Sequence, residues 1–194
     1  MEHPAASSST SRWYISGGTT ELLLSEAGAL RLIGGSKDLH AGQMLDRIGV
    51  SMGMRFPAGA ELEKAALCCP EETTALLPVS MEAGDCYCHL SGAETKCQQL
   101  LQSGGFSNER IAAEAFDFLA RTIARMLAAG CKQYDVSQAL IVGGVASSSL
   151  LREKLSARLA KLDCSAELRF GKPEYSSDNA AGIARLGMIE FLRA

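Results

Sequence analysis

The sequence predicts an α/β fold, and three features of the 194-residue chain lead to that prediction. Short apolar runs separated by glycine turns near the N-terminus indicate a β-meander. Farther on, amphipathic helical segments alternate with short buried strands, as in a layered α/β domain. The composition, 47% hydrophobic and 21% charged, suits a soluble domain with a packed core.

The meander is predicted to follow a start that has little pattern. Residues 1–12 are interpreted as a linker or a truncated start, so that the domain itself spans residues 13–194. Gly17-Gly18 supplies the first tight turn of a three-stranded antiparallel sheet. The predicted strands cover residues 13–15, 20–24 and 29–33.

Helices and further strands are predicted after the meander from the spacing of apolar residues. Ser107 is the expected N-cap of the longest helix and Gly130 its C′ residue. The other predicted helices cover residues 41–52, 60–69, 92–102, a segment from Gly143-Gly144 through Leu162, and 178–192. The predicted strands cover residues 75–79, 85–90, 138–142 and 166–170.

This order of elements defines the predicted architecture more closely. A meander, a helix and then strand–helix units make up an RNase H-like layer. Such a layer is the half-unit of actin- and hexokinase-type (ASKHA) nucleotide-binding proteins. The sequence therefore predicts one lobe of that type.

Charge and cysteine usage exclude several function classes. The net charge of −3 and the pI of about 5.7 argue against binding nucleic acid by bulk charge alone. No apolar run approaches the length of a membrane span, so we expect no membrane partner. The seven cysteines include no Cys-x-x-Cys pair and are interpreted as reduced thiols of a cytoplasmic protein.

Two glycine turns are candidate phosphate cradles, because glycine lets backbone N–H groups approach a ligand. Ser16-Gly17-Gly18 lies in the first β-turn, where an ordinary hairpin is the simpler explanation if the motif is taken alone. Gly143-Gly144 ends a strand and is predicted to open a helix, whose N-terminus would add free N–H donors. The alternative is a turn that only requires a positive φ.

Four polar or small residues have a functional and a structural interpretation. Asp46 either accepts hydrogen bonds from a ribose diol or is a solvated neighbour of Arg47. Gly59 either allows close approach of a ligand or only starts a helix. Ser148 either caps a helix or contacts the ligand. Asp178 is a helix cap, a metal ligand, or both.

Taken together, these motifs resemble the TsaD/Gcp family of tRNA threonylcarbamoyladenosine transferases, once called glycoproteases or O-sialoglycoprotein endopeptidases. The resemblance covers residues 15–184, and the family residues are replaced at Thr19 (His), Gln43 (Glu) and Ser148 (Asn). The matching segments are residues 16–20, 42–47, 56–63, 90–95, 143–152 and 177–184.

The resemblance implies a fold, ligands and site residues. It implies an ASKHA fold that binds ATP or threonylcarbamoyl-adenylate for tRNA modification. It implies a divalent metal (Fe, Zn or Mg) in the full-length protein, held by Asp178, with His3 as the remnant of a His-x-x-x-His motif. No catalytic residue is assigned. The implied nucleotide-binding residues are Ser16, Gly17, Gly18, Asp46, Gly59, Gly143, Gly144 and Ser148.

Family chains have a whole lobe before the Ser-Gly-Gly turn, and this sequence does not include it. Two functions from different classes are therefore considered. One is a transferase acting on tRNA, of which this chain is the C-terminal part and which is inactive in isolation. The other is a non-catalytic ASKHA paralogue that serves as a dimerisation partner or scaffold. We expect a TsaB-like paralogue or a second copy as the protein partner.

Overall fold

The structure is a computed structural model of the 194-residue chain. It describes residues 10–15, 19–26, 29–70, 75–81, 84–162, 164, 166–176, 184–185, 188–189 and 191–192. Most of the predicted helix over residues 178–192, like the start of the chain, lies outside these residues.

Six strands form one mixed sheet in the order β4-β3-β2-β1-β5-β6. Strands β1 to β3 pair as an antiparallel meander, as predicted, whereas β5 runs parallel to β1 and β6 parallel to β5. The short β4 runs parallel to β3 at the other edge. The strands are β1 (Thr10–Ile15), β2 (Thr20–Glu26), β3 (Ala29–Ser36), β4 (Tyr87–Cys88), β5 (Gln138–Val142) and β6 (Glu167–Phe170).

Five α-helices and two 3₁₀ turns are bounded within the described part of the chain, and the described residues 184–185, 188–189 and 191–192 are also helical. None of these helices is long and apolar enough to cross a membrane. The helices are α1 (Ala41–Ser51), α2 (Gly59–Leu67), α3 (Ser91–Ser103), α4 (Asn108–Tyr134) and α5 (Ser149–Leu159). The 3₁₀ turns are Val145–Ser147 and Pro173–Tyr175.

Helix α4 is the centre of the core and is longer than predicted. Ser107 is its N-cap, since the Ser107 hydroxyl accepts a hydrogen bond from the Arg110 N–H at 3.2 Å. Gly130, however, does not end the helix, which continues to Tyr134. A Cβ at Gly130 would lie 2.9 Å from the Leu22 side chain, so this glycine permits close packing of α4 on β2.

The predicted strand at residues 75–79 is wrong, since this segment pairs with no strand in the described residues. Charged side chains of α4 bind its backbone instead. The Leu77 N–H donates to Glu114 Oε1 at 3.0 Å, and Arg121 Nη1 donates to the Leu77 carbonyl at 2.8 Å. The strand predicted at residues 85–90 shrinks to Tyr87–Cys88.

Candidate functional site

A pocket of about 340 Å³ lies between α1, α2, α4 and the turn that follows β5. Four of the predicted nucleotide-binding residues line it: Asp46, Gly59, Gly144 and Ser148. They come from well-separated parts of the chain, and the fold brings them together. The apolar part of the wall is formed by Leu45, Pro57, Ala60, Phe116 and Val145.

Gly143 shapes the pocket without lining it. It follows β5 directly and has a φ of 110°, which confirms that this turn requires a positive φ. The expectation that Gly143-Gly144 opens a helix directly is wrong. Gly144 leads into the 3₁₀ turn Val145–Ser147, and α5 begins only at Ser149.

Asp46 has a structural partner that the sequence did not reveal. Its Oδ1 accepts hydrogen bonds from the N–H groups of Ala58 at 2.8 Å and Gly59 at 3.1 Å. These groups begin α2, so a carboxylate of α1 caps the next helix. Asp46 is therefore not simply a solvated neighbour of Arg47. Its second oxygen accepts no hydrogen bond from the described residues.

Glu63 is a pocket residue that the sequence motifs did not single out. Its Oε1 accepts hydrogen bonds from the Ser149 hydroxyl at 3.1 Å and from the Leu150 N–H at 3.0 Å. Glu63 thus joins α2 to the start of α5 across the pocket. Its spacing from Gly59 was the available signal, because residues four apart on a helix share a face.

Ser148 caps α5, which confirms the capping interpretation of this residue. Its hydroxyl accepts a hydrogen bond from the Leu151 N–H at 3.1 Å. Since Leu150 donates to Glu63, the N–H groups of both residues are already used. These two N–H groups at the start of α5 are therefore not free donors for a phosphate.

The polar groups of the pocket are carboxylates and hydroxyls. Asp46 and Glu63 are the charged residues of the lining, and neither Lys nor Arg is among the described lining residues. Each carboxylate uses one oxygen to cap a helix. The remaining oxygens can accept hydrogen bonds from a ligand that lies next to the apolar wall.

Gly59 and Gly144 leave open space in the wall. Neither has a positive φ. A Cβ on Gly59 would approach only Asp46 Oδ1, at 3.8 Å, and a Cβ on Gly144 would meet nothing within 4 Å. Neither backbone strain nor packing in the described residues therefore requires glycine at these positions. A ligand lying against the backbone would require it.

The ends of β1 and β5 relate the pocket to the first glycine turn. These strands are parallel neighbours, with Tyr14 opposite Val142. The chain therefore leaves both strands at the same edge of the sheet. Ser16, Gly17 and Gly18 themselves lie outside the described residues.

The predicted metal ligands also lie outside the described residues. These are Asp178 and His3. Within the described part of the chain, no group of three or more His, Cys, Asp or Glu residues could hold a metal ion. The described residues therefore do not supply a metal site by themselves.

The chain is similar to a known protein family over most of its length. The family model for tRNA N6-adenosine threonylcarbamoyltransferase matches residues 7–185. The protein of that name from Listeria monocytogenes serotype 4b is 31% identical over 185 residues, which is 92% of this chain and 54% of the relative. This chain thus spans about half the length of that curated relative.

Two solved structures share the fold. Full-length HypF in the phosphate- and nucleotide-bound form matches 85% of this chain and 30% of HypF, with a TM-score of 0.69 and 10% identity. The activator of 2-hydroxyisocaproyl-CoA dehydratase from Clostridium difficile, with bound ADPNP, has a TM-score of 0.54 and 15% identity. The match covers 95% of this chain and 64% of the activator. Both likenesses support the predicted α/β fold.

Proposed function

Because the chain belongs to the tRNA N6-adenosine threonylcarbamoyltransferase family, we propose that its pocket binds the nucleoside part of an adenine nucleotide. The nucleotide is ATP or threonylcarbamoyl-adenylate, and its use is the threonylcarbamoyladenosine modification of tRNA. The reaction on tRNA is proposed for a protein of the length of the relatives, since this chain covers about half of them.

One observation carries the proposal. Asp46, Gly59, Gly144 and Ser148 are nucleotide-binding residues predicted from the sequence, and all four line one pocket. The open space at Gly59 and Gly144 also supports the proposal. The packing of the described residues does not require glycine at either position, whereas a ligand lying against the backbone would. A volume of about 340 Å³ is within the range of small-molecule sites.

The lining suggests how the nucleoside is held. A flat base would pack against Phe116 and the neighbouring apolar wall. Ribose hydroxyls or a base amino group would donate to the free oxygens of Asp46 and Glu63. Two carboxylates without a cation would repel phosphates. The phosphates would therefore extend toward the edge where β1 and β5 end, which leads to Ser16-Gly17-Gly18.

The metal remains part of the proposal for the longer protein. Asp178 and His3 are its proposed ligands, and Fe, Zn and Mg are its candidate ions. Bound there, a divalent ion would act as a Lewis acid on a carbonyl or hold a phosphate.

Calorimetric titration of the 194-residue chain with ADP and with adenosine tests the nucleotide site. We expect both to bind, with adenosine retaining most of the affinity because the pocket holds the nucleoside. Binding is expected to be weaker than about 1 µM, since fewer contacts offset the cost of association. Absence of heat with both ligands at millimolar concentrations would contradict the proposal.

A scaffold role is the alternative function. Thr19, Gln43 and Ser148 are among the positions at which this chain departs from the family motifs. Gln43 retains a capping function, because its Oε1 accepts a hydrogen bond from the His40 N–H at 3.3 Å. Sedimentation with a TsaB-like paralogue separates the two functions. A scaffold would form a complex without nucleotide and would not transfer threonylcarbamoyl even when joined to an N-terminal lobe.

A further inference from the structure

Arg152 connects two loops at one edge of the sheet. Its Nε donates a hydrogen bond to the Ala146 carbonyl, and its Nη2 donates one to the Gly171 carbonyl, each at 2.6 Å. The guanidinium carbon also lies 5.1 Å from the centre of the Phe170 ring. The side chain of one α5 residue is therefore fixed at three points.

The two carbonyls belong to different loops, only one of which lines the pocket. Ala146 is the middle residue of the 3₁₀ turn Val145–Ser147, whose first and last residues line the pocket. Gly171 follows β6 directly and begins the segment of residues 171–176. Because β5 and β6 are parallel, both loops leave the sheet at the same edge.

The loop after β6 is held closely against β5. The Gly171 N–H donates to the Ile141 carbonyl at 2.8 Å. A Cβ at Gly171 would lie 2.9 Å from the Val142 side chain, so the backbones approach closely there. With its N–H on β5 and its carbonyl on Arg152, Gly171 is fixed from both sides.

We propose that Arg152 is a positioning residue for the pocket and that it couples pocket occupancy to the segment of residues 171–176. The inference rests on the proposed nucleotide site. A guanidinium is planar and holds its two donors at a fixed separation. Displacement of the Ala146 carbonyl by a ligand is therefore transmitted to the Gly171 carbonyl. A lysine ammonium, a point charge on a flexible stem, cannot keep both carbonyls in register.

Hydrogen exchange of the 194-residue chain, with and without saturating ADP, tests the coupling. Hydrogen-bonded backbone amides report on each loop: Ser147 and Ser148 in the first, Tyr175 and Ser176 in the second. In the wild type we expect ADP to slow exchange in both loops. In Arg152→Gln and Arg152→Lys we expect ADP to slow amide exchange in the first loop but no longer in the second.

Arg158→Gln is the matched control. Arg158 lies on the same helix, but its Nη2 donates to Asp117 Oδ1 at 2.7 Å, within the α4–α5 packing. This variant is expected to lose stability and yet keep ADP-dependent slowing in both loops. Each variant is checked by its cooperative thermal unfolding.

Three results would overturn the coupling. The first is slowing in the second loop that persists in both Arg152 variants, and the second is slowing in the first loop alone in the wild type. The third is loss of coupling in Arg158→Gln as well, which would indicate a general effect of instability. If ADP slows exchange in neither loop of the wild type, the proposed nucleotide site is overturned and this inference with it.

Discussion

The Gly59 N–H donates a hydrogen bond to Asp46 Oδ1 at 3.1 Å, so two predicted ligand-binding residues bind each other directly. This bond joins α1 to α2 at the wall of the pocket. Because the same oxygen also accepts the Ala58 N–H, Asp46 fixes the pocket before any ligand arrives. Its role in stability and its role in binding can be separated by substitution.

Asp46→Ala should destabilise the chain by about 1 kcal/mol, because α2 loses its cap. For a chain of this size the melting temperature should fall by about 2–4 °C. Asp46→Asn is the matched variant, since an amide oxygen can still accept an N–H. It should keep most of the stability while losing the charge next to the ligand, so ADP binding should weaken in both variants. Equal stability of Asp46→Ala and the wild type would contradict the capping role.

Gly144→Ala should block the pocket without harming the fold. Gly144 has helical φ and ψ values of −59° and −45°, and a Cβ there meets nothing within 4 Å. The melting temperature should therefore be unchanged or slightly higher, while ADP affinity should fall by about tenfold, equivalent to about 1.4 kcal/mol.

Gly92→Ala is the control for this substitution. Gly92 lies in the first turn of α3 and is exposed, and a Cβ added there would meet nothing within 4 Å. It should have a similar effect on stability and none on ADP binding. If Gly144→Ala binds ADP as the wild type does, the ligand does not lie against this turn.

Stability should fall in acid partly through Asp38. Burial would raise the pKa of Asp38, but hydrogen bonds from the Ser91 hydroxyl and from the N–H groups of Leu90, Leu39 and Ser91 outweigh it. They hold the pKa well below its ordinary value. A carboxyl with a lowered folded-state pKa stabilises the fold above its unfolded pKa of about 3.9, and this contribution is lost as the pH falls further.

Urea unfolding between about pH 5 and pH 2 measures this contribution. Asp38→Asn should show a smaller loss of unfolding free energy over this range than the wild type. Glu153→Gln, which removes an exposed carboxylate of α5, should follow the wild type. Parallel pH profiles for all three proteins would show that Asp38 has no such role.

The isolated chain should purify without a stoichiometric metal and should not transfer threonylcarbamoyl to tRNA. Its described residues contain no cluster of metal ligands, and the loss of one ligand usually weakens a metal site strongly. Elemental analysis of the wild-type chain and of the Asp178→Ala variant checks this. One tightly held metal per chain, lost in Asp178→Ala, would contradict the expectation.

Features that depend on neighbouring residues can be predicted from this sequence more readily than features that depend on long-range contacts. The strand of residues 138–142 and the N-cap at Ser107 follow from apolar runs and capping chemistry, which depend on neighbouring residues. The packing role of Gly130 is hidden in the sequence because its partner, Leu22, lies on a distant strand. A glycine that ends a helix and a glycine that lets a helix pack closely on a strand cannot be told apart from the sequence alone.

The same limit applies to the pocket. Glu63 caps α5, and Asp46 caps α2, through contacts between helices that no spacing within one helix reveals. The segment around Leu77 has the composition of a strand, yet its N–H and carbonyl bind Glu114 and Arg121. The choice between a sheet and side chains as hydrogen-bonding partners is made by the tertiary fold.

An ADP titration followed by amide chemical shifts tests the central claim most directly. If the pocket holds the nucleoside, the largest shifts will occur at Gly59, Gly144 and Ser148, and adenosine will shift the same amides. Shifts confined to other parts of the chain, or no shifts at millimolar ADP, would contradict it.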